Sequence, residues 1–274
     1  MVSNFHLPPV GFGPGSQPES DDLAYMPMPS GMRSYAPHLP EVSDPSAVTP
    51  ALKTLADIAE ACAACAQGGM ARFDLAGLDA QNRALMAETM GQGEVAMKIR
   101  GIPALSVQES VFAGVWSVIG AGFDQIEVGA VPAAALSRAF EPFRPALGPS
   151  HPRPAGVVIA PALLAELRDK SASYRGGAPH VVNLTLLPHT EEDLVWLAEA
   201  LGEGAVTILS RGYGNCRITA TAQAHVWRVQ FFNSMDTLIL DTFEVTTMPE
   251  VALAAGEDLA DSAARIREVL EAIR

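Results

Sequence analysis

The chain has 274 residues, 49% of them hydrophobic and 18% charged, with a formal net charge of −13, which is enough apolar material for one large core or two linked smaller ones. The acidic balance and the lack of a Lys/Arg cluster argue against nucleic-acid binding, which needs a basic patch for the phosphates, and no apolar run of about 18 residues is present to cross a membrane. Three cysteines, an odd number, argue against a disulfide scaffold, and a start without a charged segment leading into an apolar run leaves the cytoplasm as the expected location.

Residues 1–50 read as a Pro/Met-rich extended arm. Prolines recur from Pro8 to Pro50; each fixes φ and removes a donor, so helix and central strand are both disfavoured. Tyr25, Met26 and Met28 stand in "YMPMPSGM", and methionine adapts to irregular apolar surfaces. The arm either docks a partner or lies on its own globule.

After Pro50 the chain repeats itself. "LMAETMGQGEVAMKIRG" (85–101) and "WLAEALGEGAVTILSRG" (196–212) align at an offset of 111, pairing Gly91 with Gly202, Val95 with Val206 and Gly101 with Gly212. The frame continues to Trp116 and Trp227, then slips so that "EVGAVP" (127–132) faces "EVTTMP" (244–249). The expected fold is α+β: two tandem similar lobes of mixed helices and largely antiparallel strands, 51–145 and 146–274, the second ending in a helix. Each copy predicts a helix carrying Leu52, Leu55 and Ile58 or Leu163, Leu164 and Leu167. A short strand follows near 71–75 or 181–186, then an amphipathic helix ending at Gly91 or Gly202. In copy two that helix opens with Thr190 as N-cap and Asp193 three residues on. Three strand-like runs come next, near 94–100, 106–119 and 124–129, and near 205–210, 216–232 and 237–246. A last helix, 257–273, places Leu259, Ile266, Leu270 and Ile273 on one stripe, as core packing would.

Five positions carry structural expectations. Gly101 and Gly212 follow Arg in both copies, as a turn needing glycine would. Trp116 and Trp227 are expected as core anchors. Cys216, in "SRGYGNCRI", aligns with Leu105 and reads as a small buried hydrophobe. A nucleophilic thiol would need a nearby base, and His225 is nine residues away, about 30 Å along one strand.

Two features have a chemical reading. From Arg217 to Val226 the residues Arg217, Thr219, Thr221, Gln223 and His225 alternate with apolar ones and form a wholly polar strand face. It is either a solvated face or a recognition surface for an extended peptide. The pattern inverts at Trp227, as a bulge or bend would make it. Cys62 and Cys65, in "ACAAC", have Cys-x-x-Cys spacing, but they sit near the end of an alanine-rich helix without a second pair to close a metal site.

The motifs "GPGSQPESDD", "YMPMPSGM", "GEVAMKIRG", "VQESVFAGVW", "SRGYGNCRITAT" and "VWRVQFFNSMDTLILDTFEV" resemble hydrogenase expression/formation proteins of the HupH/HyaF type. The resemblance runs from Gly13 to about Asp261. It implies a non-enzymatic accessory factor of membrane-bound [NiFe] uptake hydrogenases, acting in the cytoplasm without a cofactor. Its implied partners are the iron–sulfur small-subunit precursor before export and other maturation factors. It supplies no catalytic residues. An acidic chaperone would suit a precursor with a basic twin-arginine signal. The alternative is a thiol-dependent redox or cluster-handling protein using Cys62, Cys65 or Cys216.

Overall fold

The structure, a computed structural model, describes residues 40, 42, 44–212 and 214–273. Tyr25, Met26 and Met28 therefore lie outside the described residues. In chain order the elements are α1 (Thr49–Cys65), β1 (Met70–Asp74), α2 (Ala80–Met90), β2 (Val95–Ile99), β3 (Leu105–Glu109), β4 (Val115–Gly120), β5 (Phe123–Gly129) and α3 (Ala133–Ser137), then α4 (Ala160–Ser173), β6 (His180–Asn183), α5 (Glu191–Leu201), β7 (Val206–Ser210), β8 (Asn215–Ala220), β9 (Val226–Phe232), β10 (Leu238–Val245) and α6 (Gly256–Ile273).

The ten strands form one sheet in the order β1-β5-β4-β3-β2-β7-β8-β9-β10-β6. Both halves thus show the same strand order, reversed across the centre. There β2 and β7 run antiparallel with Met97 opposite Ile208. These two residues are 111 apart, the repeat offset, so a local two-fold axis passes between equivalent positions. The duplicated lobes are fused through their central strands into one sheet.

Each copy has four strands after its second helix, where three runs were expected. The run 106–119 breaks after Glu109 and the run 216–232 after Ala220. The cause is the same in both. Ser110 Oγ accepts from the amide of Phe112 and donates to its carbonyl. Thr221 Oγ1 does the same with Gln223. The hydroxyl closes a tight turn that ends the ladder. The inversion at Trp227 is therefore a hairpin turn rather than a bulge within one strand. In copy one Gly114 supplies a φ of +78° to this turn; in copy two His225, 111 residues on, adopts +63°, a region that L-residues seldom occupy.

Paired residues share a face, and the register separates two faces. One carries Met97, Val107, Trp116, Ile208, Ile218 and Trp227. It is covered by the segments 131–140 and 248–254, including Val131, Ala135 and Met248. On the other face helices cover only the outer strands. α1, α2 and α6 pack over Val115, Ile126 and Val128, while α4 and α5 pack over Val226, Phe243 and Val245. The middle strands are left open there, with Lys98 and Arg217 exposed and Leu209 45% exposed.

The stripe on α6 is core packing, but in the first copy's core. Leu259, Ile266, Leu270 and Ile273 cluster with Leu55, Ile58 and Phe112, and Ser262 Oγ donates to Ala113 O at 2.9 Å. The helix follows the second repeat in the chain and covers the first. The buried residues of α1 (Leu55, Ile58, Ala59, Cys62) present the complementary apolar surface there. The glycines after Arg100 and Arg211 differ in their cause. Gly101 has φ +118°, and a Cβ there would strike the guanidinium of Arg138, which donates to Arg100 O at 2.6 Å. Gly212 has no such φ; a Cβ there would meet the carboxylate of Glu94. A shared sequence thus serves a left-handed turn in one copy and a close approach in the other.

Candidate functional site

On β8, Cys216, Ile218 and Ala220 are buried, while Arg217 is exposed and Thr219 half-buried. The register extends this polar face sideways. Arg217 stands opposite Gln230, and Gln230 opposite Asp241; Thr219 stands opposite Arg228, and Arg228 opposite Phe243. Arg228 holds Asp241 through two hydrogen bonds, Nε to Oδ1 at 3.0 Å and Nη2 to Oδ2 at 2.6 Å. Gln230 Nε2 donates to the same Oδ2 at 3.3 Å. Side-chain exposure is 24% for Arg228 and 5% for Asp241, so this forked pair is largely desolvated and its geometry is set by the sheet.

Over these strands lies a groove of about 410 Å³, walled by the C-terminal end of α5 and by residues 144–147. That strap is tied to the loop after α5 by backbone bonds between Arg144 and Glu203. Glu203 also pairs with Arg100 at 3.3 Å and with Arg144 at 3.5 Å. Arg100 donates to Thr207 Oγ1 at 3.0 Å and lies 4.5 Å from the centre of the Phe143 ring.

The five residues of the expected polar face separate into two groups. Arg217 and Thr219 point into the groove. Thr221, Gln223 and His225 belong to the turn and hold it together, with Thr221 also at the edge of the groove. Thr221 is 5% exposed, and Gln223 Nε2 donates to Ser171 Oγ at 3.0 Å. The His225 ring packs between Tyr174 and Phe140, with centroids 5.0 and 5.6 Å away. The alternation that placed all five on one face continues past Ala220 because Ala222 and Ala224 keep the apolar rhythm through the turn. Arg228, Gln230 and Asp241 were not singled out by sequence. They join the site only through strand register, although one signal was available: the 111 offset sets Arg217, Arg228 and Gln230 against Ser106, Ser117 and Ile119. Two arginines and a glutamine enter the second copy where the first has two serines and an isoleucine.

All three cysteines are buried. Burial, and then the neighbouring Cys65, pushes the Cys62 thiol up to about 12; burial also raises Cys65. Burial, and then Glu244, pushes Cys216 up to about 12. Among the described residues no histidine or carboxylate hydrogen-bonds Cys216, and no group of three or more His, Cys, Asp or Glu is placed to hold a metal ion. Relative to an ordinary thiol at 9.0, Cys62 and Cys216 carry on the order of a thousandfold less thiolate at neutral pH. A thiol reagent is therefore expected to modify the native protein orders of magnitude more slowly than the denatured chain. Rapid labelling of Cys216 in the native state would contradict its placement.

Trp116 and Trp227 are buried at equivalent places. Their indole N–H groups donate to equivalent carbonyls, Gly129 O at 2.8 Å and Thr246 O at 3.2 Å. No helix among the described residues is long and apolar enough to cross a membrane.

Comparison with known proteins places these features in a family. The family model for the HupH hydrogenase expression protein, C-terminal conserved region, matches twice, over residues 48–142 and 157–273, once in each half. The hydrogenase expression/formation protein HupH of Rhodobacter capsulatus is 79% identical over 275 residues, covering 100% of both chains. HoxQ of Cupriavidus necator, also named a hydrogenase expression/formation protein, is 46% identical over 98% of each chain. The hydrogenase-1 operon protein HyaF of Escherichia coli K12 is 31% identical over 97% of this chain and 95% of its own.

Proposed function

Because the chain belongs to the HupH/HyaF family of hydrogenase expression/formation proteins, we propose that it serves the maturation of a [NiFe] uptake hydrogenase as a non-enzymatic binding factor, holding the iron–sulfur small-subunit precursor in the cytoplasm before export. The observation that carries this reading is the polar strip on the middle strands. It is left uncovered between two helical layers, with Arg217, Thr219 and exposed Leu209 on it. An open sheet face with mixed polar and apolar side chains suits recognition of a polypeptide. The Tyr25–Met32 arm remains part of the proposed contact surface. The strip itself is locally cationic, so a basic export signal would be attracted by the net negative charge of the remaining surface.

The test is a titration of purified protein with the precursor, with and without its signal peptide, at low and high salt. Binding to the precursor is expected, weaker at high salt because exposed charges are screened over about 8 Å at physiological ionic strength. A variant lacking all three cysteines is expected to bind and mature the hydrogenase as the wild type does. Loss of maturation in that variant, with binding intact, would favour the thiol-dependent alternative. No binding to either precursor form would remove the reading.

A further inference from the structure

The groove over β8 and β9 has a chemistry of its own. Its arginines are not equivalent. Arg228 is committed to Asp241, and Arg144 pairs with Glu203. Arg217 has no ion pair among the described residues; its guanidinium lies 5.6 Å from the Phe232 ring. Among the described residues Arg217 is the one arginine lining the groove without a carboxylate partner, and Thr219 and Gln230 line the groove with it. Its other wall offers Pro145 and Leu147, the latter 54% exposed, beside two carboxylates already partnered, Glu199 by His151 and Glu203 by Arg100 and Arg144.

One free cation matches one carboxylate. A phosphate, carrying about −1.5 to −2 charges, recruits several donors or a row of backbone amides, and this floor is β-strand whose amides are spent in the ladder. Asn215, Arg217 and Thr219 also lie on one face of β8, and Arg217 borders both this groove and a second hollow lined by Asn215 and Asp236, a layout for an extended chain rather than a compact ion. In the first copy the position of Arg217 is Ser106, so the cation is peculiar to one side of a duplicated sheet.

We propose that this groove binds an extended acidic–apolar segment of the partner polypeptide, with a carboxylate on Arg217 and an adjacent apolar side chain against Pro145 and Leu147. The inference rests on the binding-factor reading above and adds the chemistry of the segment held. In a protein of net charge −13 a cationic groove selects where an acidic segment can settle, since elsewhere it is repelled.

The test uses a labelled pentapeptide alternating leucine with aspartate, its asparagine counterpart and its lysine counterpart, followed by fluorescence anisotropy against the full chain. The aspartate peptide is expected to bind about tenfold or more tightly than the asparagine one, as loss of a charge-assisted contact implies. Arg217→Ser, which installs the first copy's residue, is expected to erase that difference. Arg217→Glu should invert it in favour of the lysine peptide, and Leu147→Ser should weaken the aspartate and asparagine peptides alike. Equal binding of the three peptides to wild type, or an unchanged preference in Arg217→Ser with an unchanged melting temperature, would overturn the proposal. So would failure of the aspartate peptide to bind at millimolar concentration. Titrating the small-subunit precursor against wild type and Arg217→Ser separates the two levels. Full binding by both overturns the groove but keeps the binding-factor reading, whereas no binding by wild type removes that reading whatever the peptides do.

Discussion

Replacing Trp227 by alanine is expected to lower the unfolding free energy by about 3–5 kcal/mol. The side chain is fully buried on the face covered by segments 131–140 and 248–254, and its ring meets Phe140 edge-on at 5.2 Å between centroids. Removing it opens a cavity beneath the β8–β9 turn. It also leaves Thr246 O without the indole donor that reaches it at 3.2 Å, and an unmet buried acceptor adds to the cost. Trp227→Phe separates the two contributions, since the ring volume largely stays and only the N–H goes; a loss of about 1–2 kcal/mol is expected. Trp116→Ala should cost a similar amount, because Trp116 donates to Gly129 O in the other half in the same way. Denaturant unfolding of the three variants checks the claim, and a midpoint for Trp227→Ala within error of wild type would refute the anchoring role.

Asp193→Ala is expected to cost about 3 kcal/mol or more. Asp193 is 1% exposed and joins two helices. Its Oδ1 accepts from the amides of Val158, Ile159 and Ala160 at 2.8, 3.0 and 2.9 Å, at the start of α4. Its Oδ2 accepts from the Thr190 amide, and Thr190 Oγ1 accepts from the Asp193 amide in turn, which closes a capping box on α5. Burial by itself would raise the carboxyl, but the amides of Ala160, Thr190 and Val158 outweigh it and hold the group below its ordinary value of 3.8. A depressed carboxyl stabilises the fold above its unfolded pKa and loses that contribution as pH falls through the folded one. The difference between wild type and Asp193→Asn should therefore be constant near neutrality and shrink below about pH 3.8. The first copy has Asn82 at this position, 111 residues earlier, accepting from the Ala51 amide of α1 at 2.9 Å. Asparagine works there because its NH2 finds Ala47 O and Asp79 Oδ1. At position 193 the same NH2 would face the Thr190 N–H, donor against donor, so Asp193→Asn should also destabilise. A growing difference at low pH would contradict the assignment.

These residues show where sequence sufficed. The duplication was legible because the same turns, caps and core positions recur at one offset: Gly91 and Gly202 end α2 and α5, and the paired tryptophans occupy equivalent sites. The Thr190–Asp193 cap and the apolar stripe of α6 were equally local, set by spacing within one element. The reading of Cys216 followed from its twin, Leu105. The break after Ala220 was hidden because small alanines carry a strand-like alternation through a turn that one threonine hydroxyl closes.

Other features depend on which elements meet, and no short-range pattern encodes that. The fusion of both lobes through Met97 and Ile208 is a pairing between residues 111 apart. α6 covers the first repeat because that repeat presents the complementary apolar surface, although the helix follows the second in the chain. The groove is the same kind of case. Arg217, Gln230 and Asp241 are brought into one row by register across three strands, and among the described residues Arg228 is neutralised by Asp241 while Arg217 has no such partner. The local sequence determined which side chains are polar and which way each strand turns them. Only the tertiary pairing decided which of the arginines keeps its charge free, because that depends on the carboxylate standing opposite.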